Sequence, residues 1–151
     1  MGIRVTAAVF AATLIAASSS AFADSITPVD LADQANWGAT YGTKIRGATT
    51  EDVIGATTGD DIGDLTNWVY QSSQDVYTYI HRLTAGVNNV SEFNTGFNVS
   101  GFNGVAGYDF GEATAAGGGG FSVFMDEDGT IDWEVLDNGG WFDSGDVVTF
   151  F

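Results

Sequence analysis

The spacing of turn signals along the chain is the feature that most limits its fold. Runs rich in Val, Thr, Tyr, Phe and Trp alternate with Gly, Asn and Asp about every 8–12 residues, and the chain has 21 Gly and one Pro. Branched and aromatic side chains favour strands, whereas Gly, Asn and Asp favour the turns between them. The pattern predicts an all-β fold, an antiparallel sandwich of the immunoglobulin-like or jelly-roll type with about eight or nine strands.

The strand pattern can be placed segment by segment. We expect a helical turn at residues 30–37, a loop at residues 57–64 and a flexible link at residues 115–120. We expect strands at residues 40–49, 65–71, 76–83, 91–99, 105–113, 121–125, 131–135 and 146–151.

The segment 76–83 (VYTYIHRL) predicts a central strand. With a period of two, Tyr77, Tyr79, His81 and Leu83 share one face, which we expect to point at the core. The other face mixes apolar and polar side chains, so both faces of this strand are expected to be at least partly covered.

The segments 121–125 and 131–135 predict a hairpin, because the Asp-Gly pair between them favours a tight turn. In the second strand of this hairpin, Ile131, Trp133 and Val135 face one side of the sheet. Asp132 and Glu134 face the other side, which we expect to be a wet acidic surface.

Residues 1–23 have the pattern of a secretory signal peptide. Arg4 is followed by an apolar run at residues 5–17 and by the small-residue cleavage pattern Ala21-Phe22-Ala23. We therefore expect export, through a periplasm if the cell is Gram-negative, and a single mature domain at residues 24–151 with no transmembrane segment. Because an apolar strand at 146–151 would leave a sticky sheet edge, we also expect a fragment, truncated at its C-terminus.

The charge of the chain excludes two classes of partner. A formal net charge of −16 with four Lys and Arg leaves no basic patch for nucleic acid or for anionic lipid. The absence of Cys excludes disulfides, thiolate zinc sites and a catalytic thiol.

Acidic loops are the only metal candidates in the sequence. Asp126, Asp128 and Asp132 could supply oxygen ligands to calcium, as could the cluster Asp60, Asp61 and Asp64. The spacing does not match an EF-hand, because position twelve of the loop would be Val135. The alternative is that these loops are solvated and keep the protein soluble. No other cofactor is expected.

The sequence predicts that the protein is not an enzyme. His81 is the only His and has no nucleophile motif around it. The carboxylates are dispersed, so a hydrolase that uses two of them stays an alternative. Trp37, Trp68, Trp133 and Trp141 could line a sugar platform, but core packing is the simpler expectation.

Four segments together resemble bacterial PEP-CTERM proteins, the exported group sorted by exosortase. They are VYTYIHRLT at 76–84, the stretch 91–113, IDW at 131–133 and VVTFF at 147–151. The resemblance implies a β-rich domain at the cell surface or in an extracellular or biofilm matrix. The Pro-Glu-Pro motif, hydrophobic helix and basic tail of that group do not occur in this sequence. Either the chain is truncated after Phe151 or the sorting inference fails.

These observations predict an exported, non-enzymatic cell-surface or extracellular-matrix domain, with extracellular polysaccharide or surface proteins as partners. The first alternative is a calcium-dependent carbohydrate-binding or adhesion module. The second is a secreted hydrolase with dispersed carboxylates.

Overall fold

The chain forms two β-sheets that pack face to face around an aromatic core. A computed structural model describes residues 24–54, 59–88, 90–95, 101–117, 119–136 and 142–151. The predicted signal peptide at residues 1–23 lies outside the described residues.

The elements of the described chain are ten strands, one 3₁₀ turn and two short helices. The strands are β1 (Asp24–Ile26), β2 (Val29–Asp30), β3 (Thr43–Ile54), β4 (Asp61–Gln71), β5 (Tyr77–Ala85), β6 (Glu92–Asn94), β7 (Gly107–Tyr108), β8 (Phe121–Met125), β9 (Ile131–Val135) and β10 (Val147–Phe150). The 3₁₀ turn spans Gln34–Asn36, and the helices are α1 (Trp37–Tyr41) and α2 (Phe110–Ala115).

One sheet has the strand order β1-β8-β9-β6 and the other has the order β2-β7-β10-β5-β4-β3. Every pair of neighbours is antiparallel except β2 and β7, which are parallel. The prediction of an all-β sandwich is confirmed, with ten described strands rather than eight or nine.

Strand β10 lies inside the six-stranded sheet, between β5 and β7. The expectation that this apolar segment would form a sticky edge is wrong, because both of its sides are paired. Val148, Thr149 and Phe150 are each at most 1% exposed, as befits a strand covered on both faces.

The core between the sheets is built around Phe150. Its ring lies 4.8 Å from Phe93, 5.1 Å from Phe121 and 5.5 Å from Trp133, measured between ring centroids. These three partners come from β6, β8 and β9, so one side chain of the six-stranded sheet contacts three strands of the other sheet. The offset and edge-on geometries are those that aromatic pairs prefer.

A second apolar cluster covers the opposite face of the six-stranded sheet. Trp37, at the start of α1, is 1% exposed and lies 5.2 Å from Trp68 and 6.1 Å from Tyr70 between ring centroids. Its indole N–H donates to the carbonyl oxygen of Ala32 at 2.6 Å. The helical turn expected at residues 30–37 is found later in the chain, at residues 34–41. Gly42, with φ 99°, follows the last helical residue and ends the helix.

The predicted strand at residues 105–113 is wrong beyond Tyr108, because helix α2 begins at Phe110. The carboxylate of Asp109 accepts from the backbone N–H of Glu112 at 2.8 Å and caps the helix. Glu112 in turn accepts from Arg82 of β5 at 2.9 Å, which holds α2 against the sheet. The sequence contains this capping pattern, Asp109 followed by Glu112 three residues later. It decides the local structure here, although the alternation of apolar and polar residues predicts a strand.

The predicted hairpin is confirmed, with β8 and β9 at the expected residues and Gly129 in the turn at φ 85°. The predicted loop at 57–64 is wrong from Asp61, where β4 begins, while residues 55–58 lie outside the described chain. The strand expected at 91–99 is described only as β6, and residues 96–100 lie outside the description.

Neither of the two described α-helices is long and apolar enough to cross a membrane.

Replacing Trp37 by Ala tests whether residues 31–41 are an integral part of the fold. We expect a loss of about 3–5 kcal/mol in the free energy of unfolding, because a large buried ring is removed from a packed cluster. Urea unfolding followed by circular dichroism measures it. Thr40→Ala, an exposed change in the same helix, is the control and should stay within about 0.5 kcal/mol of the original chain. A small effect of Trp37→Ala would mean that this segment does not contribute to the cooperative unit.

Candidate functional site

A cleft of about 540 Å³ lies between the turn that joins β4 to β5, the start of β9 and the loop at residues 101–105. Its floor is the first part of β5. Strand β10 pairs with β5 only from Thr84 to His81, so the β5 residues before His81 extend past the end of β10.

Two tyrosines form the floor of the cleft. Tyr77 is 49% exposed and Tyr79 is 44% exposed, on the face of β5 that also carries His81. The expectation that both rings point into the core is therefore wrong. Leu83, on the same face, is buried as expected, because it belongs to the core cluster between the two sheets. The alternation predicts the shared face correctly, but it does not reveal how far the covering sheet extends.

Polar groups at the rim are held in place by local hydrogen bonds. The side-chain amide of Gln71 donates to the Tyr77 hydroxyl at 3.1 Å and to the Asp75 carboxylate at 2.9 Å. Asp75 has φ 59°, a conformation uncommon for a residue other than Gly. Across the cleft, the side chain of Asn103 accepts from the backbone N–H of Val105 at 3.0 Å through its amide oxygen.

His81 closes the inner end of the cleft as a neutral ring. Burial lowers its pKa from 6.5 to about 4. Its Nδ1 atom lies 2.6 Å from the Oδ1 atom of Asn67, and since an amide oxygen only accepts, Nδ1 carries the proton. The ring of Phe93 packs against it at 5.8 Å between ring centroids.

The chemistry of the lining is aromatic and uncharged apart from one carboxylate, that of Asp75. Besides the tyrosines, it has hydroxyl and amide groups, and none of its described residues is Lys or Arg. Aromatic faces bind apolar C–H surfaces, while hydroxyls and amides both donate and accept hydrogen bonds. This combination suits a neutral ligand with many hydroxyl groups.

The predicted calcium ligands lie elsewhere, on the hairpin of β8 and β9. The structure brings Asp126 and Asp132 close enough for the charge of Asp126 to affect the Asp132 carboxyl. Asp128 accepts from the backbone N–H of Thr130 at 3.0 Å, which lowers the pKa of this exposed carboxyl.

Asp132 is buried, with 4% of its surface exposed, so its expected place on a wet acidic face is wrong. The reason is that β9 is a central strand, and on this face Asp132 lies between Phe124 of β8 and Asn94 of β6. Burial, with repulsion from Asp126, raises the pKa of Asp132 to about 7. Its Oδ2 atom is buried without a hydrogen-bond partner.

No group of three or more Asp, Glu or His side chains in the described ranges is close enough to hold a metal ion. In the second predicted cluster, the Asp61 carboxylate accepts from the backbone N–H of Gly63 at 3.0 Å, and Asp64 lies opposite Asp52 in the ladder of β3 and β4. Calcium binding at either cluster stays a prediction.

Comparisons with protein-family models, curated proteins and solved structures find no match to this chain. Trp37, Trp68 and Trp133 are buried, while Trp141 lies outside the described residues. Sequence reasoning misses Tyr77 and Tyr79 as site residues, because no sequence signal marks where one sheet stops covering the other.

Replacing Asp132 by Asn tests the buried aspartate. In the unfolded chain this carboxyl loses its proton near its ordinary pKa of 3.8, and in the fold near 7, so the fold loses stability as pH rises between those values. The Asn variant does not titrate. We expect it to be more stable than the original chain by about 1–3 kcal/mol above about pH 7, with the gain gone below about pH 4.

Urea unfolding at a series of pH values measures this difference. Glu134→Gln, an exposed change in the same strand, is the control and should show a difference within about 0.5 kcal/mol throughout. An Asn variant that is less stable than the original chain at alkaline pH would contradict the raised pKa of Asp132.

Proposed function

We propose that this chain is an exported, non-enzymatic domain that binds a neutral extracellular polysaccharide in the cleft floored by Tyr77 and Tyr79. The observation that carries the proposal is the pair of tyrosine rings, each more than two-fifths exposed, on a floor bordered by amide and hydroxyl groups. Exposed aromatic rings at a concave site are costly to leave in water and are typical of binding surfaces.

The shape of the cleft supports a chain-like ligand. The two tyrosines are two residues apart on one strand face, which places their rings about 6–7 Å apart along β5. Successive sugar rings can each contact one tyrosine face, while Asn103 and Gln74 lie at the rim to bond their hydroxyl groups. Recognition of this kind needs no charge on the ligand.

Binding rather than hydrolysis fits the carboxylates of the site. Hydrolysis of a glycosidic bond uses two carboxyl groups about 5–10 Å apart. The described lining of the cleft supplies one, Asp75, and Asp132 lies on the far face of the four-stranded sheet. The neutral His81 is already committed to Asn67 through its Nδ1 proton.

Export and location rest on other observations. Export is supported by the leader pattern at residues 1–23, and a surface or matrix location by the resemblance to PEP-CTERM proteins. The formal charge of −16 favours solubility outside the cell and disfavours anionic polysaccharides as ligands.

Removing both floor rings tests the polysaccharide proposal. We expect Tyr77→Ala with Tyr79→Ala to abolish retention on a panel of neutral polysaccharides, measured by affinity electrophoresis. The loss should be at least about tenfold in affinity, because the stacking area is removed. Tyr77→Phe with Tyr79→Phe keeps the ring faces and should retain most of the binding.

Phe110→Ala is the matched control, since Phe110 is 37% exposed but does not line the cleft. It should bind as the original chain does. If the original chain binds no neutral polysaccharide on the panel, or if the double Ala variant binds equally well, the proposal is wrong.

Calcium binding at the hairpin of β8 and β9 is a second candidate, favoured by one observation. The Oδ2 atom of Asp132 is buried without a hydrogen-bond partner, beside Asp126 and within range of repulsion from Glu92 and Asp128. Calcium takes six to eight oxygen ligands and would replace mutual repulsion by attraction. Backbone carbonyls and water would have to supply the remaining ligands.

Thermal unfolding with and without millimolar calcium tests this site. If calcium binds, the unfolding temperature should rise, because a ligand that binds only the fold adds about 2.7 kcal/mol at a hundred times its Kd. Asp126→Asn with Asp128→Asn should remove the rise, and the exposed change Glu127→Gln should keep it. No rise in the original chain, or an equal rise with magnesium, would count against a calcium site.

A further inference from the structure

Strand β3 is an exposed edge of the six-stranded sheet. Its twelve residues pair with β4 on one side, and nothing in the described chain pairs with the other side. All of them are exposed except the half-buried Val53. The other sheet edges, β1, β2 and β6, have only two or three residues each. Long unpaired edges are uncommon in proteins, because their free N–H and C=O groups can pair with another chain.

The two ends of β3 carry opposite charges. Lys44 and Arg46 lie near its start, and Glu51 and Asp52 lie near its end. Neither of these cations forms a salt bridge within the described ranges, whereas Arg82 is paired with α2. In a chain with a formal charge of −16, two of the four cations therefore lie on one exposed strand.

The charges also match face by face. Arg46 lies opposite Val69 of β4 and Glu51 lies opposite Leu65, four residues away. Because β4 pairs with β5 without a register shift, residues of β4 separated by an even number share a face. Arg46 and Glu51 are therefore on one face of the sheet.

Lys44 and Asp52 are on the opposite face by the same reasoning, since their partners on β4 are Tyr70 and Asp64, six residues apart. Each face of the edge strand thus carries one cation at its start and one carboxylate towards its end. The strand is self-complementary under a rotation that reverses its direction.

We propose that two copies of this chain pair through β3, antiparallel, about a twofold axis perpendicular to the sheet near Thr49, which lies opposite Asn67, midway between the partners of the paired charges. That axis keeps the faces of the two sheets aligned. It brings Arg46 of one copy beside Glu51 of the other, and Lys44 beside Asp52, twice in each dimer. Backbone hydrogen bonds between the edges supply affinity, and the four ion pairs fix the register.

Charges and β-bulges on an edge strand commonly serve to prevent pairing, and the ladder of β3 with β4 has three register shifts. The charge pattern of β3, however, differs from a protective one. A protective edge carries charges that oppose a second copy. On β3 the two signs are separated along the strand, so antiparallel pairing brings opposite charges together, while a parallel arrangement would bring like charges together.

The dimer would double the binding surface of the protein, a consequence that rests on the proposed polysaccharide site. Arg46 lies opposite Val69, and Val69 lies opposite Tyr79 in the next pair of strands, so this face of β3 continues into the floor of the cleft. The twofold axis would leave both clefts on the same side of a continuous sheet. Two weak sites on one side can hold a long polymer with an avidity that exceeds either affinity.

Sedimentation velocity on the protein purified from expression of the full chain tests the proposal. The expected mass is twice that of one chain. Lys44→Glu with Arg46→Glu places carboxylates against carboxylates, and Glu51→Lys with Asp52→Lys places cations against cations. We expect each double variant to raise the dimer Kd by about 100-fold or more, because like charges across an interface oppose association strongly.

Mixing the two double variants gives the decisive result. In the mixed pair every carboxylate end faces a cation end, so the dimer should re-form at a ratio of one to one. Asp24→Lys with Asp33→Lys, exposed changes away from β3 with the same charge change as the second variant, should remain dimeric. Circular dichroism confirms that each variant is folded.

An original chain that stays monomeric at the highest attainable concentration would overturn the proposal. So would a dimer that survives both double variants, or two monomeric variants whose mixture does not re-form a dimer. None of these outcomes bears on polysaccharide binding by a single copy, which is measured separately.

Discussion

The contact of Phe150 with three rings of the facing sheet is the interaction on which the sandwich depends. Phe150 of β10 is fully buried, and its ring packs on Phe93, Phe121 and Trp133 at 4.8–5.5 Å between ring centroids. The three strands that supply these rings are therefore all held against the same residue of the facing sheet. A chain without Cys has no covalent cross-link to align its sheets. The aromatic cluster holds the two sheets together instead, because its rings are buried and fit closely against one another.

The end of β10 lies where the proposed binding surface begins. From Leu83 back to His81, the inner face of β5 lies beside β10 and is covered, and beyond that point Tyr79 and Tyr77 lie in the open. On the opposite face of the same strand, Ile80 packs in the cluster of Trp37. A floor held from behind in this way would limit the ordering cost of the proposed binding.

Sequence patterns predict the class of this fold and its local turns. They do not predict the exposure of a side chain when that exposure depends on packing against strands distant in sequence. The hairpin of β8 and β9 follows from its Asp-Gly turn and its alternation, and the structure places both strands at the predicted residues. The exposure of Tyr77 and Asp132 is predicted wrongly, because it depends on neighbouring strands that are distant in sequence. The sequence shows a capping residue, Asp109, for the helix that begins at Phe110. The alternation of apolar and polar residues around it nevertheless favours a strand, which is why the helix is missed.

The position of β10 also has a consequence for the order of events during synthesis. This strand lies between β5 and β7, so the six-stranded sheet cannot be completed until residues 147–150 have been made. The four-stranded sheet must likewise wait for β9, and its β1 pairs with β8, about a hundred residues along the chain. Such distant pairings form slowly. Of the six-stranded sheet, the consecutive strands β3, β4 and β5 can pair early, whereas its two halves are joined only when the last residues of β10 have been made.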